Sequence, residues 1–172
     1  MKTIKNKYIF LSIPVVFLLV SLAWYFSDKQ VIKRQLTELT WNISKEAKES
    51  TLDTALKLRE VKKMLAPNIL AIVSERNYSE TLPQDMIIRY LMYYRDRYET
   101  LAVSFTDFEI ELPAKEKATV LATVLVQRKK AQNEPEQLSE SVEILLKKNN
   151  EMEKGGKKWQ MVQASIASSL VE

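Results

Sequence analysis

The chain of 172 residues contains no cysteine, no histidine and only two glycines. Without cysteine it cannot form a disulfide, carry an acylated lipoprotein cysteine or supply a thiolate to a metal. Without histidine it lacks the commonest proton shuttle at neutral pH, the commonest metal ligand and the base of a nucleophilic triad. The glycines, Gly155 and Gly156, are adjacent, so no glycine-rich phosphate-binding loop can form. We therefore expect neither a metal nor a cofactor.

The charge balance argues against a nucleic-acid partner. The net charge is +4, but Lys2, Lys5 and Lys7 lie at the N-terminus, and the remaining chain carries 23 of the 26 basic side chains against all 22 acidic ones. These charges alternate in sign along the chain, whereas a nucleic-acid binder concentrates positive charge on one face. We expect no nucleic-acid partner.

One long apolar run, from Tyr8 to Phe26, has the sequence YIFLSIPVVFLLVSLAWYF and contains no charged side chain. Its 19 residues span roughly 28 Å as a helix, which is close to the hydrocarbon thickness of a bilayer. The run is longer than the apolar core of a signal peptide and closes on Trp24-Tyr25-Phe26 instead of the small residues of a cleavage site. We predict an uncleaved single-pass anchor and regard a cleaved signal as the alternative.

The orientation of this anchor depends on a small difference in flanking charge. Three lysines precede the run, but Lys29, Lys33 and Arg34 follow it closely, so the positive-inside rule is nearly balanced. A short basic tail before a long domain is the usual layout of an anchor whose N-terminus stays inside the cell. We predict a bacterial inner-membrane protein with a cytoplasmic tail (residues 1–7), a transmembrane anchor (8–26) and a periplasmic domain (27–172).

Three segments of the periplasmic domain have the apolar periodicity of amphipathic helices. The first runs from Val31 to Ile43. The second begins at the capping sequence Ser50-Thr-Leu-Asp53, runs to Leu65 and ends before Pro67. After a short strand (Ile69 to Val73) and a loop, Thr81 to Gln84 predicts the cap of a third helix that runs to about Tyr98. The inward stripes are Ile32, Leu36, Leu39 and Ile43 in the first helix, and Ile87, Leu91, Tyr94 and Tyr98 in the third.

Trp41 points almost opposite to the apolar stripe of the first helix, at about 100° per residue. Either a later element or its own neighbours cover it, which is the usual fate of an amphipathic aromatic side chain and the outcome we favour, or it is an exposed contact for a partner. Trp41 is therefore the candidate partner-contact residue.

Beyond Thr100 the period changes from about 3.6 to 2, which indicates strands. In LAVSFTDFEIEL, the apolar residues before and after Thr106-Asp107 have opposite parity, so we predict a β-bulge there that keeps both sets on one face. Further strands are expected at Lys117 to Lys129, Ser141 to Lys148 and Lys158 to Ile166, with a polar loop from Ala131 to Leu138. Helices followed by four antiparallel strands define an α+β domain with helices on one face of a bent sheet.

Five segments together resemble the nuclear transport factor 2-like, or cystatin-like cone, superfamily, which includes the SnoaL-like proteins. They are MLAPNILAIVSE, ETLAVSFTDFEIEL, KATVLATVLVQRK, SESVEILLKK and GGKKWQMVQASI. The resemblance covers about residues 30–170 and includes the closing Gly156-Lys157-Lys158-Trp159. It implies a cone-shaped domain of three helices packed on a curved, mainly antiparallel sheet that encloses a pocket. Among its members, small membrane-anchored bacterial proteins of undefined role are the most similar in plan.

The enzymes of this superfamily use His or Asp at the cone mouth, and this chain offers only carboxylates and tyrosines. A general base paired with a hydroxyl donor would draw on Asp85 or Asp107 and on Tyr90, Tyr94 or Tyr98. No family motif places these residues, and each has a structural alternative: Asp85 at a helix N-terminus, Asp107 in the bulge, and the tyrosines in the core. Tyr90, Tyr94, Tyr98 and Asp107 are the ligand-pocket candidates, and no catalytic residue is assigned.

Three functions are compatible with these features. The one favoured is a non-catalytic, membrane-tethered module that binds a protein partner or a small apolar ligand at the cell envelope. The second is a structural component of an envelope or secretion assembly, since inner-membrane scaffold proteins of type IV secretion systems have a similar plan, and self-association belongs to this hypothesis. The least favoured is an isomerase or hydrolase acting on a hydrophobic substrate.

Overall fold

A computed structural model describes residues 25–131, 134–149 and 158–166 of the chain. In these ranges the chain forms three α-helices and six β-strands, with a 3₁₀ turn at Ser74–Arg76. The helices are α1 (Asp28–Ile43), α2 (Thr51–Met64) and α3 (Gln84–Asp96); the strands are β1 (Leu65–Val73), β2 (Tyr78–Pro83), β3 (Thr100–Ala114), β4 (Lys117–Lys129), β5 (Glu136–Lys148) and β6 (Trp159–Ile166).

The chain consists of two compact units, Met1–Arg34 and Gln35–Glu172. In the first unit, the guanidinium carbon of Arg34 lies 3.9 Å from the centroid of the Tyr25 ring, and its Nη2 donates a hydrogen bond to the Tyr25 carbonyl. None of the helices in the described ranges is long and apolar enough to cross a membrane. Residues 8–24, which carry nearly all of the predicted anchor, lie outside the described residues.

The second unit is built on one mixed sheet with the strand order β2-β1-β6-β5-β4-β3. Strand β1 runs parallel to β6, and the other neighbours are antiparallel. This arrangement confirms the predicted α+β class with a mainly antiparallel sheet. The alternate residues on one side of β4 are all buried: Ala118, Val120, Ala122, Val124 and Val126. The apolar core of this unit therefore lies on this face of the sheet, where Leu36, Leu39 and Met64 of the helices approach Leu146 of β5.

The predicted bulge in β3 is confirmed. Thr106 pairs with Thr123 and Glu109 pairs with Leu121, so β3 has one extra residue opposite Ala122. Asp107 takes a left-handed backbone conformation at this point, with φ of 53°. As a result Phe105 opposes Val124 while Ile110 opposes Val120, and both apolar sets of β3 face the buried side of β4.

The start of α2 also follows the sequence signal. The Ser50 side chain accepts a hydrogen bond from the Asp53 amide at 3.1 Å, and its hydroxyl donates to the Asp53 carboxylate at 2.6 Å. The helix ends at Met64 instead of Leu65, since β1 begins at Leu65 and includes Pro67. The first strand is therefore longer than the predicted Ile69 to Val73.

Two local predictions were wrong. The segment predicted as a loop before α3 is strand β2, in which Thr81 pairs with Leu70. Thr81 therefore does not cap α3, whose N-cap residue is Pro83 without a side-chain hydrogen bond. The predicted loop from Ala131 to Leu138 is also shorter, because β5 begins at Glu136 and not at Ser141.

Candidate functional site

A buried ion pair joins the C-terminal end of α1 to α3. Arg95 on α3 is only 1% exposed. Its Nη1 donates hydrogen bonds to the carbonyl oxygens of Asn42, Ile43 and Ser44 at 2.8, 2.7 and 3.0 Å, and its Nη2 donates to the carboxylate of Glu49. The carbonyls at a helix C-terminus lack intrahelical donors and carry partial negative charge, so a guanidinium satisfies both needs. Arg95 therefore fixes the position at which α1 ends.

Glu49 is the acidic centre of this network, with a side chain that is 3% exposed. Besides Arg95, it accepts hydrogen bonds from the Lys57 ammonium and the Thr54 hydroxyl, both at 2.9 Å. Burial by itself raises the pKa of the Glu49 carboxyl, but these hydrogen bonds and the charge of Arg95 outweigh it, and the pKa lies below its ordinary value. Glu49 is thus ionised at neutral pH.

Trp41 lies on the outward side of α1, next to this network, and is 63% exposed. The expectation that a later element or its own neighbours cover it was therefore wrong. The Lys57 ammonium lies 5.3 Å from the centroid of the Trp41 ring, a cation–π distance. Since Lys57 also bonds to Glu49, the indole borders on the buried ion pair.

A shallow hollow of about 280 Å³ opens beside Trp41. Leu56 of α2 supplies a second exposed apolar side chain. Charged residues of both signs surround these two: Glu46, Lys48, Asp53 and Lys57. We call Trp41, Leu56 and these four charged residues the Trp41 surface. An apolar centre with a charged rim is the arrangement of a protein-contact site.

Two of the candidate tyrosines come together, and the third does not. The rings of Tyr94 and Tyr98 are 5.0 Å apart between centroids. Arg128 of β4 donates a hydrogen bond from Nη1 to the Tyr94 hydroxyl at 3.0 Å and lies 5.3 Å from the Tyr98 ring. Burial, followed by the hydrogen bond with Tyr94, raises the pKa of Tyr98. Tyr90 is 57% exposed, one helical turn before Tyr94 on α3, and takes no part in this cluster.

The carboxylate candidates lie apart from this tyrosine pair. Asp107 is exposed on the bulge, where it accepts a hydrogen bond from the Thr106 hydroxyl at 2.9 Å. Arg128 pairs across the sheet with Leu101, six residues before Asp107, which corresponds to about 20 Å along a strand. Asp85 is exposed and forms an ion pair with Lys62 at 2.7 Å, and the hydrogen bond from Lys62 lowers the pKa of Asp85. A paired base and hydroxyl donor is therefore not assembled from these residues.

The inner face of β3 carries apolar side chains that are only half-buried. The Phe105 and Phe108 rings are 6.1 Å apart between centroids, and Ile110 continues the same face. A separate cavity of about 10 Å³, lined by Trp159 and Met161 among others, has room for about one water molecule. In the described ranges no group of three or more acidic residues is placed to hold a metal ion.

The sequence analysis did not identify Arg95 and Glu49, the central residues of the ion-pair network. The position of Arg95 in the sequence nevertheless indicates a buried charge. Ile88, Leu91, Arg95 and Tyr98 follow helical spacing, so Arg95 occupies a position on the inward side of α3. A charged residue at such a position indicates a buried partner. Glu49 lies between α1 and α2, where no periodicity could identify it.

Comparison with known proteins establishes the fold of this chain. No family model matches the sequence, and no curated protein is similar enough to match. Among solved structures, it is similar to a nuclear transport factor 2-like protein with a cystatin-like fold from Novosphingobium aromaticivorans, with 9% identity, a TM-score of 0.62 and coverage of 90% of both chains.

Two further solved structures are similar to this chain at comparably low sequence identity. The Kfla4162 protein from Kribbella flavida has 10% identity, a TM-score of 0.64 and coverage of 83% of this chain and 90% of that one. A scytalone dehydratase candidate from Novosphingobium aromaticivorans has 11% identity, a TM-score of 0.59 and coverage of 85% and 84%. At these identities the likeness shows the fold alone: an α+β cone fold of the nuclear transport factor 2-like type, which hosts both binding proteins and enzymes.

Proposed function

We propose that this chain is a membrane-tethered, non-catalytic binding module whose folded domain contacts a protein partner at the cell envelope through the Trp41 surface. The observation that carries the proposal is the 63% exposure of Trp41 on a helix whose end is held by a buried ion pair. Exposed tryptophan is unfavourable in water, and tryptophan is among the residues that most often dominate binding energy in interfaces.

The rigidity of the surroundings supports a role in binding. Arg95 holds three carbonyls at the end of α1, and Lys57 connects Glu49 to the Trp41 ring. A side chain that is positioned before binding loses less conformational freedom in the complex, which raises affinity. The partner that fits is a protein segment with an apolar side chain for the hollow and charges of both signs for its rim.

Binding is favoured over catalysis by the arrangement of the acid–base candidates. Arg128 donates a hydrogen bond to the Tyr94 hydroxyl, and Asp107 is about 20 Å along β3 from the residue opposite Arg128, so the Asp107 carboxylate is too distant to pair with that hydroxyl. The membrane tether rests on the sequence from Tyr8 to Phe26, which is long and apolar enough for one crossing. The same proposal places the anchor in the inner membrane and the folded domain in the periplasm.

The binding site is testable with a photoreactive amino acid in the full-length chain, expressed in bacterial membranes. Placed at Leu56, it should give an adduct of discrete mass with a partner protein, and Trp41→Ala should lower the apparent affinity for that partner by about 30-fold, the effect of a hot-spot residue. Trp41→Ala should leave the unfolding midpoint nearly unchanged, because the side chain is exposed.

Leu121 provides the matched control, since it is also an exposed leucine, at 42%, but lies on β4. The same photoreactive residue at Leu121 should give no such adduct. Adducts of equal yield at both positions, or an adduct at Leu56 that survives Trp41→Ala, would contradict the proposed site.

A further inference from the structure

Helix α3 has a second ordered face that points away from the core. Met86, Tyr90, Tyr93 and Arg97 follow one another at spacings of four, three and four residues, which places them within about 60° of each other around the helix axis. Met86, Tyr90 and Tyr93 are 39%, 57% and 63% exposed. The Arg97 guanidinium lies 5.2 Å from the centroid of the Tyr93 ring. We call these four residues the α3 stripe.

Edge strand β2 extends the stripe with a further aromatic side chain and an acidic group. Tyr78 is 44% exposed, and its hydroxyl donates to the Glu80 carboxylate. The hydrogen bond to Glu80, with a smaller effect of Tyr90, raises the pKa of Tyr78. Tyr78 and Glu80 belong to the strand that leads directly into α3, so an acidic group lies before the N-terminal end of the helix and a basic group, Arg97, lies directly after its C-terminal end.

The chemistry of the stripe is that of an interface. Tyrosine, methionine and arginine are the residue types enriched at protein contacts, and the spacing of four and three is the one that packs against another helix. Nothing in this face overlaps with the Trp41 surface, so the two surfaces are independent.

We propose that the α3 stripe packs antiparallel against the same stripe of a second copy of this chain. A twofold axis between Tyr90 and Tyr93 sets Tyr90 of one copy opposite Tyr93 of the other and Met86 opposite Arg97. Each Arg97 then approaches the half of the other stripe where Glu80 lies, and the two helix dipoles oppose each other. A parallel pair would set the two Arg97 side chains together, which is unfavourable.

The size of the stripe indicates a weak dimer. Tyr90 and Tyr93 of the stripe and Tyr78 of β2 contribute on the order of 100 Å² each, and Met86 and Arg97 bring the total to roughly 400 Å² per copy. A standard stable interface buries about 800 Å² per partner. The association therefore depends on a high local concentration, which confinement to a membrane supplies under the proposed function.

Because the chain has no cysteine, disulfide crosslinking of the full-length protein tests the geometry directly. In the antiparallel pair, the two Met86 positions are 11 residues apart along the axis, about 16 Å, so neither Met86→Cys nor Arg97→Cys should crosslink alone. A mixture of differently tagged Met86→Cys and Arg97→Cys chains should give the heterodimer on mild oxidation. Adding Tyr93→Glu to both chains should lower its yield at least tenfold.

The controls separate this proposal from its alternatives. Tyr93→Glu should keep the parental unfolding midpoint, since Tyr93 is exposed, and Trp41→Ala should leave the crosslink unchanged. Self-linked Met86→Cys chains would indicate a parallel pair and overturn the proposal. A mixture without heterodimer, or a stronger self-link from Leu121→Cys on the sheet, would overturn it as well.

Discussion

A guanidinium that is 1% exposed, as in Arg95, is stable in a folded protein only when its charge and its donors find partners. The two Nη atoms of Arg95 find four, since three carbonyls at the end of α1 and one carboxylate accept their hydrogen bonds, while its Nε finds none among the described residues. Removing the charge of Glu49 leaves Arg95 buried without its ion-pair partner, and breaking a buried pair in this way costs about 3–5 kcal/mol. The pair therefore holds the end of α1, the helix that carries Trp41, even if its net contribution to the free energy of unfolding is small.

Glu49→Gln separates the charge of this site from its shape. The folded-state pKa of Glu49 lies below the ordinary value of 4.5, so the ionised carboxylate stabilises the fold fully above pH 4.5, and this contribution is lost as the pH falls through the folded-state pKa. We expect Glu49→Gln to lower the free energy of unfolding by about 3 kcal/mol at pH 7, with a difference that narrows below pH 4.5. Urea titrations at several pH values measure it.

Glu46→Gln is the matched control, because Glu46 lies three residues earlier and is exposed. It should change the free energy of unfolding by no more than about 0.5 kcal/mol. A Glu49→Gln effect that is the same at pH 7 and at pH 3 would show that packing, not charge, holds the site.

Among the elements, β3 shows how a sequence pattern predicts backbone geometry. The parity change at Thr106-Asp107 predicted a bulge, and the left-handed Asp107 carries it. Asp tolerates this conformation, whereas a β-branched residue does not. We expect Asp107→Val to lower the free energy of unfolding by about 1–2 kcal/mol and Asp107→Gly to have little effect, as measured by urea unfolding.

Glu109→Val tests the same change at a paired, extended position two residues further along β3. Valine suits a strand, so the unfolding free energy should stay within about 0.5 kcal/mol of the parent. Equal effects of Asp107→Val and Asp107→Gly would mean that the bulge does not require the left-handed conformation.

Elements with one buried face were predictable from the sequence, and elements without one were not. Strand β4 has an alternating buried face and was placed at its observed limits. Strand β2 buries none of its residues, and only Leu82 is half-buried, so the sequence showed no alternation there. The α3 stripe and the Trp41 surface are likewise exposed, and their exposure depends on which neighbours the fold supplies, which no local pattern determines.

At the scale of the whole molecule, the fold and the function are separate conclusions. Solved structures with TM-scores of 0.59 to 0.64 and identities of 9% to 11% share the cone fold with this chain, and that fold serves many functions. The features that favour binding here are two exposed surfaces, one around Trp41 and one on α3. Under the proposed function both would gain from confinement to a membrane, since a tether raises the effective concentration of weak partners.

The proposed membrane tether predicts where the domain lies. A reporter that is active only outside the cytoplasm, fused after Glu172, should be active, and the full-length chain should remain with the membranes after an alkaline wash. Leu18→Arg with Val20→Arg places two charges in the apolar run, each of which costs about 2.5–3.5 kcal/mol at the centre of a membrane helix, and should release the chain. An arginine outside the apolar run cannot be placed at Leu36 for comparison, because Leu36 is buried in the fold. A shortened, released product would identify a cleaved signal, and an inactive reporter on a membrane-bound chain would place the Trp41 surface and the α3 stripe in the cytoplasm.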